Sequence, residues 1–328
     1  MDTPINWGIL APGRIAHKFA SDLGLVKNAR LHAVASRSLK RAQAFARQYG
    51  AAHAFGSYEE MAKCPGLDVV YIASPHTGHH AHSLLFLKNK TAVLCEKPLA
   101  MNAGQVREMV AAARNNDTFL MEAIWTRFIP VFEKTLEMVK EGIIGELNTI
   151  RADFGFKAAY DPAHRLFDPA LGGGALLDVG LYPVYAAAQF FGRPEEVKAM
   201  AIKGETGTDN ACAMLFRCPG GKLAVMDCSV INDTPTTATF YGNKGWIKLH
   251  SRFHESERAT LFLFGENERE IYVPKMGLGY CHEIMEVNNC LRNGQKESAK
   301  LPLDFSILLM ENLDAVREAA GIVYPGEG

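Results

Sequence analysis

The spacing of apolar and polar residues changes about a third of the way along this chain. Over roughly the first 120 residues, short apolar runs alternate with amphipathic stretches. Residues 5–10 predict a strand, and residues 14–23 a helix. Residues 31–35 predict a second strand, and "SLKRAQAFARQYG" a helix stopped by Gly50. A weak third strand at residues 52–55 precedes "SYEEMAK", where Ser57 and Glu60 form a capping box. The run "LDVVYIASP" predicts a buried strand, "HHAHSLLFLKN" a helix, "AVLCE" a strand and "NAGQVREMVAAARNN" another helix. Strands that alternate with helices in this way imply parallel βαβ units and a doubly wound sheet.

Beyond Met121 the helices thin out. One is expected over residues 130–141, one over 175–191, and two near 282–292 and 304–320. Between them lie strand-like runs: "LNTIRADFGF", "EVKAMAIK", "ACAMLFRC", "KLAVMDCSVI", "TATFYGN", "GWIKLH", "ATLFLFG" and "EIYVP". Tight links such as Pro219-Gly220-Gly221 join consecutive strands, which predicts an antiparallel sheet. The expected fold class is an α/β domain with a doubly wound parallel sheet, followed by an α+β domain with an open, mainly antiparallel sheet. The boundary is expected near residues 121–127, giving domains of 1–123 and 124–328.

Composition narrows the function. The 328 residues are 48% apolar and carry a net charge of −1. That balance gives no electrostatic case for nucleic acid or an acidic membrane surface. Seven cysteines without a CxxC pair suit reduced thiols better than a disulfide framework. No basic, apolar leader opens the chain and no run reaches membrane-spanning length, so a cytoplasmic protein is expected.

Candidate chemistry begins at the first strand-to-helix turn, "WGILAPGRIAHKF". A dinucleotide fingerprint has the form G-x-G-x-x-G/A there, because glycines let backbone amides approach a pyrophosphate at the helix N-terminus. This chain has Ala11-x-Gly13-x-x-Ala16, with Arg14 and Ile15 between. The first glycine is replaced, yet the strand–turn–helix context is the one the motif requires. At the end of the second strand an acid would favour NAD and an arginine NADP. The residues are Ser36, Arg37, Ser38 and Arg41, so NADP is expected over NAD.

Ligands of a doubly wound sheet sit beyond the carboxyl ends of its strands. Ser74 and His76 lie at one such end, and Glu96-Lys97-Pro98 at another. Pro98 biases Lys97 away from helical angles, and a cis Lys97–Pro98 bond is compatible with the sequence. In the second half, "GGGALLDVGLYP" places Asp178 and Tyr182 four residues apart, on one face of an ordinary helix. The glycines at 172–174 allow the helix start to pack closely. A free tyrosine has a pKa of about 10, too high for a base near neutrality. A nearby lysine ammonium lowers it, so Lys97 and Tyr182 are a candidate proton-transfer pair beside a nicotinamide.

The segments "AVLCEKP", "FLMEAIWTRFIP" and "GGGALLDVGLYP" resemble the glucose–fructose oxidoreductase and inositol dehydrogenase (Gfo/Idh/MocA) family, and within it the dimeric dihydrodiol dehydrogenase branch, which also oxidises D-xylose with NADP. The resemblance implies a Rossmann domain followed by an open-faced sheet domain, often paired into homodimers through that sheet. It also implies acid–base work by Lys97 and Tyr182, with Asp178 in support. Many relatives have histidine where this chain has Tyr182.

The segment "HTGHHAH" invites a metal reading through His76 and His80, but no matching acids or cysteines stand near, and no metal is expected. His76 or His79 is expected to line the cofactor cleft or cap the helix. Trp125 and Arg127 follow the domain junction, where clefts form, and the resemblance puts them near substrate. Phe156 and Arg165 are further substrate candidates. The expected activity is hydride transfer between NADP and a carbinol carbon of a small polyol, aldose or trans-dihydrodiol. The alternatives are a keto- or anhydro-sugar reductase and, outside enzymes, an NADP-sensing binding protein.

Overall fold

A computed structural model describes residues 3–324. The chain divides into two compact units, Met1–Trp125 with Met276–Ile307, and Thr126–Lys275 with Leu308–Gly328.

The first unit alternates β1 (Ile5–Leu10), α1 (Arg14–Leu23), β2 (Ala29–Ala35), α2 (Leu39–Tyr49), β3 (His53–Phe55), α3 (Tyr58–Met61), β4 (Val69–Ile72), α4 (His79–Lys88), β5 (Ala92–Glu96), α5 (Ala103–Asn115) and β6 (Leu120–Ala123). Its six strands are parallel, in the order β3-β2-β1-β4-β5-β6. β4, β5 and β6 are buried at every position, as expected of strands covered on both faces. α1 buries Ala16, Phe19, Ala20 and Leu23 at helical spacing, and the Phe19 ring stacks on Tyr71 of β4. Ser57 caps α3 by accepting from the Glu60 amide.

The second unit begins with α6 (Pro130–Lys140) and β7 (Leu147–Gly155), followed by α7 (Leu181–Phe191) and the strands β8 (Glu196–Lys203), β9 (Asp209–Cys218), β10 (Lys222–Ser229), β11 (Ala238–Gly242), β12 (Gly245–Leu249), β13 (Arg258–Leu263) and β14 (Arg269–Tyr272). These form an eight-stranded sheet, β14-β13-β12-β11-β7-β10-β9-β8. β7 and β10 pair in parallel, and the remaining neighbours are antiparallel. β9 and β10 alternate buried with exposed positions, so one face is covered and the other open. α7 is apolar all round and buried from Leu181 to Ala188, where it packs on β7 and β10.

Two details differ from the sequence reading. A single boundary near residue 123 misses the return of α8 (Tyr280–Arg292) to the first unit. There the buried Asp22 carboxylate accepts the amides of Leu278 and Tyr280, and the Trp7 indole donates to Asn288 at 3.0 Å. These bonds span more than 250 residues and leave no local trace. The last helix, α9 (Leu303–Ala320), crosses from one unit into the other. The helix expected over residues 175–191 is also not uniform. Leu176–Gly180 forms a π-helical turn before α7 begins. Among the described residues, no helix is long and apolar enough to cross a membrane.

Candidate active site

The order of the first sheet reverses between β1 and β4, and the loops after β1, β4 and β5 carry the predicted residues. At the β1 turn Ala11 adopts a left-handed backbone with φ of 62°. This is the conformation that glycine takes at no steric cost, which is why the fingerprint has glycine there. The Ala11 amide donates to the Ala35 carbonyl at 2.9 Å, and the Gly13 amide to the Ala11 carbonyl at 2.7 Å. Gly13 caps α1 in an extended conformation, and Ala16 is fully buried, so the helix packs close. Arg14 is exposed and Ile15 half-buried at the first turn. The tight turn and the helix N-terminus fit a dinucleotide pyrophosphate.

Beyond β2, Ser36 is buried and its hydroxyl accepts from the Ser38 amide at 3.3 Å. Arg37 and Arg41 are exposed. Burial pushes the Tyr58 phenol up, and the charges of Arg37 and Arg41 oppose that rise. Burial pulls His82 down; Glu59 opposes this and Arg37 adds to it. The Tyr58 and His82 rings meet edge to face at 4.7 Å, and His82 Nδ1 lies 2.9 Å from the Ser74 hydroxyl. Arg37, Arg41, Tyr58, His82 and Ser74 therefore gather in one corner.

The turn after β5 answers why a lysine stands between an acid and a proline. The Lys97–Pro98 peptide is cis. Glu96 is buried, accepts from the Tyr71 hydroxyl, and accepts the Lys97 amide at 3.2 Å. The Pro98 carbonyl lies 2.7 Å from His79 Nδ1, and the Leu99 amide donates to Glu122 at 2.9 Å. Three consecutive residues are thus pinned through their backbones, and Lys97 is half-buried within that frame. Burial raises Glu122 to about 7, against the Leu99 amide, which favours the carboxylate.

His79 is fully buried, with Nε2 2.9 Å from the Ser74 carbonyl, and so bridges the β4 and β5 turns. Burial pulls it down to about 4, although both carbonyls favour the protonated ring. The histidines of "HTGHHAH" do not converge on one point. His80 pairs with Glu108 at 2.8 Å, His82 with Ser74, and the His76 ring lies 5.8 Å from that of His79. Trp125 is buried and stacks on Tyr280 at 4.5 Å.

In the second unit, the glycines at 172–174 place the start of the Asp178 segment against its neighbours. Gly174 has φ of 133°, and a Cβ there would overlap the Asp209 carboxylate. That carboxylate accepts the Leu176 amide at 2.6 Å, and burial raises Asp209 to about 6 against this bond. Asp178 is buried and receives both arms of Arg165, at 2.9 and 3.3 Å. Because the π turn widens the backbone at Asp178, the four-residue rule for an ordinary helix does not carry over to Tyr182 unchanged. Tyr182 is buried on α7, 5.4 Å from Phe154 and 5.0 Å from His254, ring to ring. Phe156 follows β7 and donates its amide to the Ser229 carbonyl at 3.1 Å. Arg127 pairs with Glu133 at 3.2 Å.

Sequence reasoning missed Tyr71, Glu122, Tyr58 and His82 in the first unit, and Phe154 and His254 in the second. Strand register offers a signal for two of them, since Tyr71 pairs with Leu94 and Glu122 with Cys95 on β5. Phe154 follows the inward alternation of β7. Nothing local marks His254.

Comparison with known proteins agrees with this architecture. Residues 5–124 match the model "Oxidoreductase family, NAD-binding Rossmann fold", and residues 132–248 match the "GFO/IDH/MocA C-terminal domain". The chain is 40% identical to the trans-1,2-dihydrobenzene-1,2-diol dehydrogenase of Mus musculus and 38% identical to that of Homo sapiens, over 98% of each chain. Among solved structures, the fold is similar to an aldose-aldose oxidoreductase from Caulobacter crescentus complexed with glycerol. Its TM-score is 0.89 and its identity 22%, over 97% of this chain and 98% of that one. It is similar also to a 3-ketoreductase from Actinomadura kijaniata in complex with NADP and TDP-benzene, with TM-score 0.88 and 23% identity over the same shares. With a dinucleotide turn at β1, a pinned Lys97 after β5 and relatives matched over nearly the whole length, the chain belongs to the Gfo/Idh/MocA family of NAD(P)-binding oxidoreductases, close to the dihydrodiol dehydrogenases.

Proposed function

We propose that the protein is an NADP-dependent dehydrogenase of trans-dihydrodiols and small aldoses or polyols, with Lys97 and Tyr182 as its acid–base pair and Asp178 in support. The observation that carries this reading is the near-full-length likeness to trans-1,2-dihydrobenzene-1,2-diol dehydrogenases at about 40% identity. The bound nicotinamide supplies the hydride acceptor. Tyr182, as phenolate, accepts the proton of the reacting hydroxyl, and the Lys97 ammonium favours the phenolate and the developing oxyanion. Arg165 holds the Asp178 carboxylate in place. Trp125, Arg127 and Phe156 remain candidates for the substrate side.

NADP preference is supported by Ser36, Arg37 and Arg41 at the end of β2, where NAD would require an acid. A ribose 2′-phosphate suits two guanidinium groups, with Tyr58 and His82 beside them. The open face of the second sheet supports pairing with a second copy, since Met200, Ile202, Leu215, Leu223 and Val225 stand exposed on adjoining strands. Seven free cysteines support a cytoplasmic setting. The test is absorbance in the NADPH band with trans-dihydrodiols and D-xylose as substrates. Turnover with NADP⁺ is expected, and Arg37→Ala is expected to weaken NADP⁺ far more than NAD⁺. Equal weakening of both cofactors contradicts the phosphate contact, and absence of turnover with either substrate class contradicts the function.

A further inference from the structure

Away from the turns that carry the candidate active site, three donor side chains from three elements of the first unit converge. His32 on β2, His53 at the start of β3 and Cys64 after α3 each offer one ligand atom, and these atoms lie within 4.8 Å of one another. The two imidazole rings meet edge to face at 4.8 Å. His32 Nε2 is 3.0 Å from the Pro65 carbonyl. A carbonyl only accepts, so Nε2 carries the proton and Nδ1 keeps a lone pair. A backbone carbonyl on one ring nitrogen is an outer support usual for a metal-bound imidazole, and the Cys64 thiol donates to the same Pro65 carbonyl at 3.7 Å. Cys64 is buried, His32 half-buried and His53 exposed, so the group is walled on one side and open to water on the other.

We propose that His32, His53 and Cys64 bind one borderline-soft divalent ion of the zinc class, with water as a fourth ligand. Two imidazoles and a thiolate suit zinc or cobalt, and the absence of a carboxylate from the trio disfavours magnesium and calcium. Zn–S and Zn–N bonds of about 2.3 and 2.0–2.1 Å require the donors to draw together. The exposed His53 ring can turn to do so. A metal takes Cys64 as its thiolate, so binding displaces the thiol proton. β3 is the last strand of its sheet, and Cys64 precedes β4. The ion therefore ties an edge strand to the α3–β4 loop, at the end of the sheet opposite the cofactor turns, and covers an edge that is otherwise open to pairing. Its role is structural, independent of hydride transfer. The sequence passes over it because the three ligands stand 21 and 11 positions apart, unlike the short spacing of a zinc motif.

The test uses the full chain, stripped with a chelator and kept reduced with a phosphine, and Co²⁺ as a spectroscopic probe. One saturable equivalent is expected, with a thiolate-to-cobalt charge-transfer band, release of a proton, and displacement by Zn²⁺. Cys64→Ala should abolish the band. His53→Ala, at an exposed position that does not threaten folding, should weaken Co²⁺ binding by more than the roughly 10–100-fold that a lost outer partner costs. NADPH binding should be unchanged in both variants. A band that survives in Cys64→Ala, affinity unchanged in His53→Ala, or no saturable binding to the wild-type chain would overturn the proposal.

Discussion

Lys97 and Tyr182, the proposed acid–base pair, are held by opposite kinds of chemistry. Lys97 stands at a strand end whose backbone is fixed by buried polar groups: Glu96, Glu122 and His79. Tyr182 sits on an apolar helix among aromatic rings, four positions after the Asp178 carboxylate that Arg165 holds. The first arrangement places a flexible side chain by fixing its root. The second places a rigid side chain by packing its body. A long lysine gains most from a pinned backbone, because its remaining cost is side-chain entropy. A tyrosine has few rotatable bonds and gains most from close packing.

The largest effect on this contrast is expected at Gly174. An alanine there meets the Asp209 carboxylate and must hold φ near 133°, a conformation that L-residues rarely adopt. Gly174→Ala should destabilise the second unit by about 3 kcal/mol or more, as measured by denaturant unfolding. Wild-type stability in that variant would show that the segment before Tyr182 is loosely seated.

Next comes Glu122, which supports the Lys97 turn. Its pKa is raised from 4.5 to about 7 by burial. An acid raised in this way binds more protons when folded, so its contribution to stability is full below about 4.5 and is lost as pH rises through about 7. The loss is roughly 3 kcal/mol. Glutamine keeps an acceptor for the Leu99 amide and cannot ionise. Glu122→Gln should therefore flatten the stability profile across that window and be the more stable protein at pH 8. Identical slopes in both proteins would contradict the assignment.

The smallest effect is expected at Ala11. Its left-handed backbone costs an L-residue about 1 kcal/mol, and glycine removes that cost while adding freedom to the unfolded chain by a similar amount. Ala11→Gly should leave stability within about 0.5 kcal/mol and NADPH affinity unchanged. A large change in either would mean that the methyl group, and not the turn shape, matters there.

The first unit was more legible in the sequence than the second. Parallel strands buried on both faces read as continuous apolar runs, and the strand-end rule then located Gly13, Ser74 and Lys97 without further information. The rule could not show which way side chains face. The burial of His79 between the β4 and β5 turns, and the Glu122 carboxylate on the Leu99 amide, therefore have no mark in the sequence. In the second unit the alternation of β9 and β10 was plain, and the glycines before Asp178 pointed to close packing. The π turn was not legible, because its sequence reads as ordinary helix. His254 joins Tyr182 across 72 positions in sequence, and the Asp22 cap on α8 spans more than 250; pairings this remote leave no periodic signal.

The measurement that bears most directly on the central claim is a double-mutant cycle on turnover. Tyr182→Phe and Lys97→Met should each lower kcat by roughly 10²–10⁴-fold, with NADPH dissociation nearly unchanged in Tyr182→Phe. The proposed pairing predicts that the double variant is little worse than the poorer single one. Losses that multiply, or substantial turnover retained without the phenol, would contradict the account.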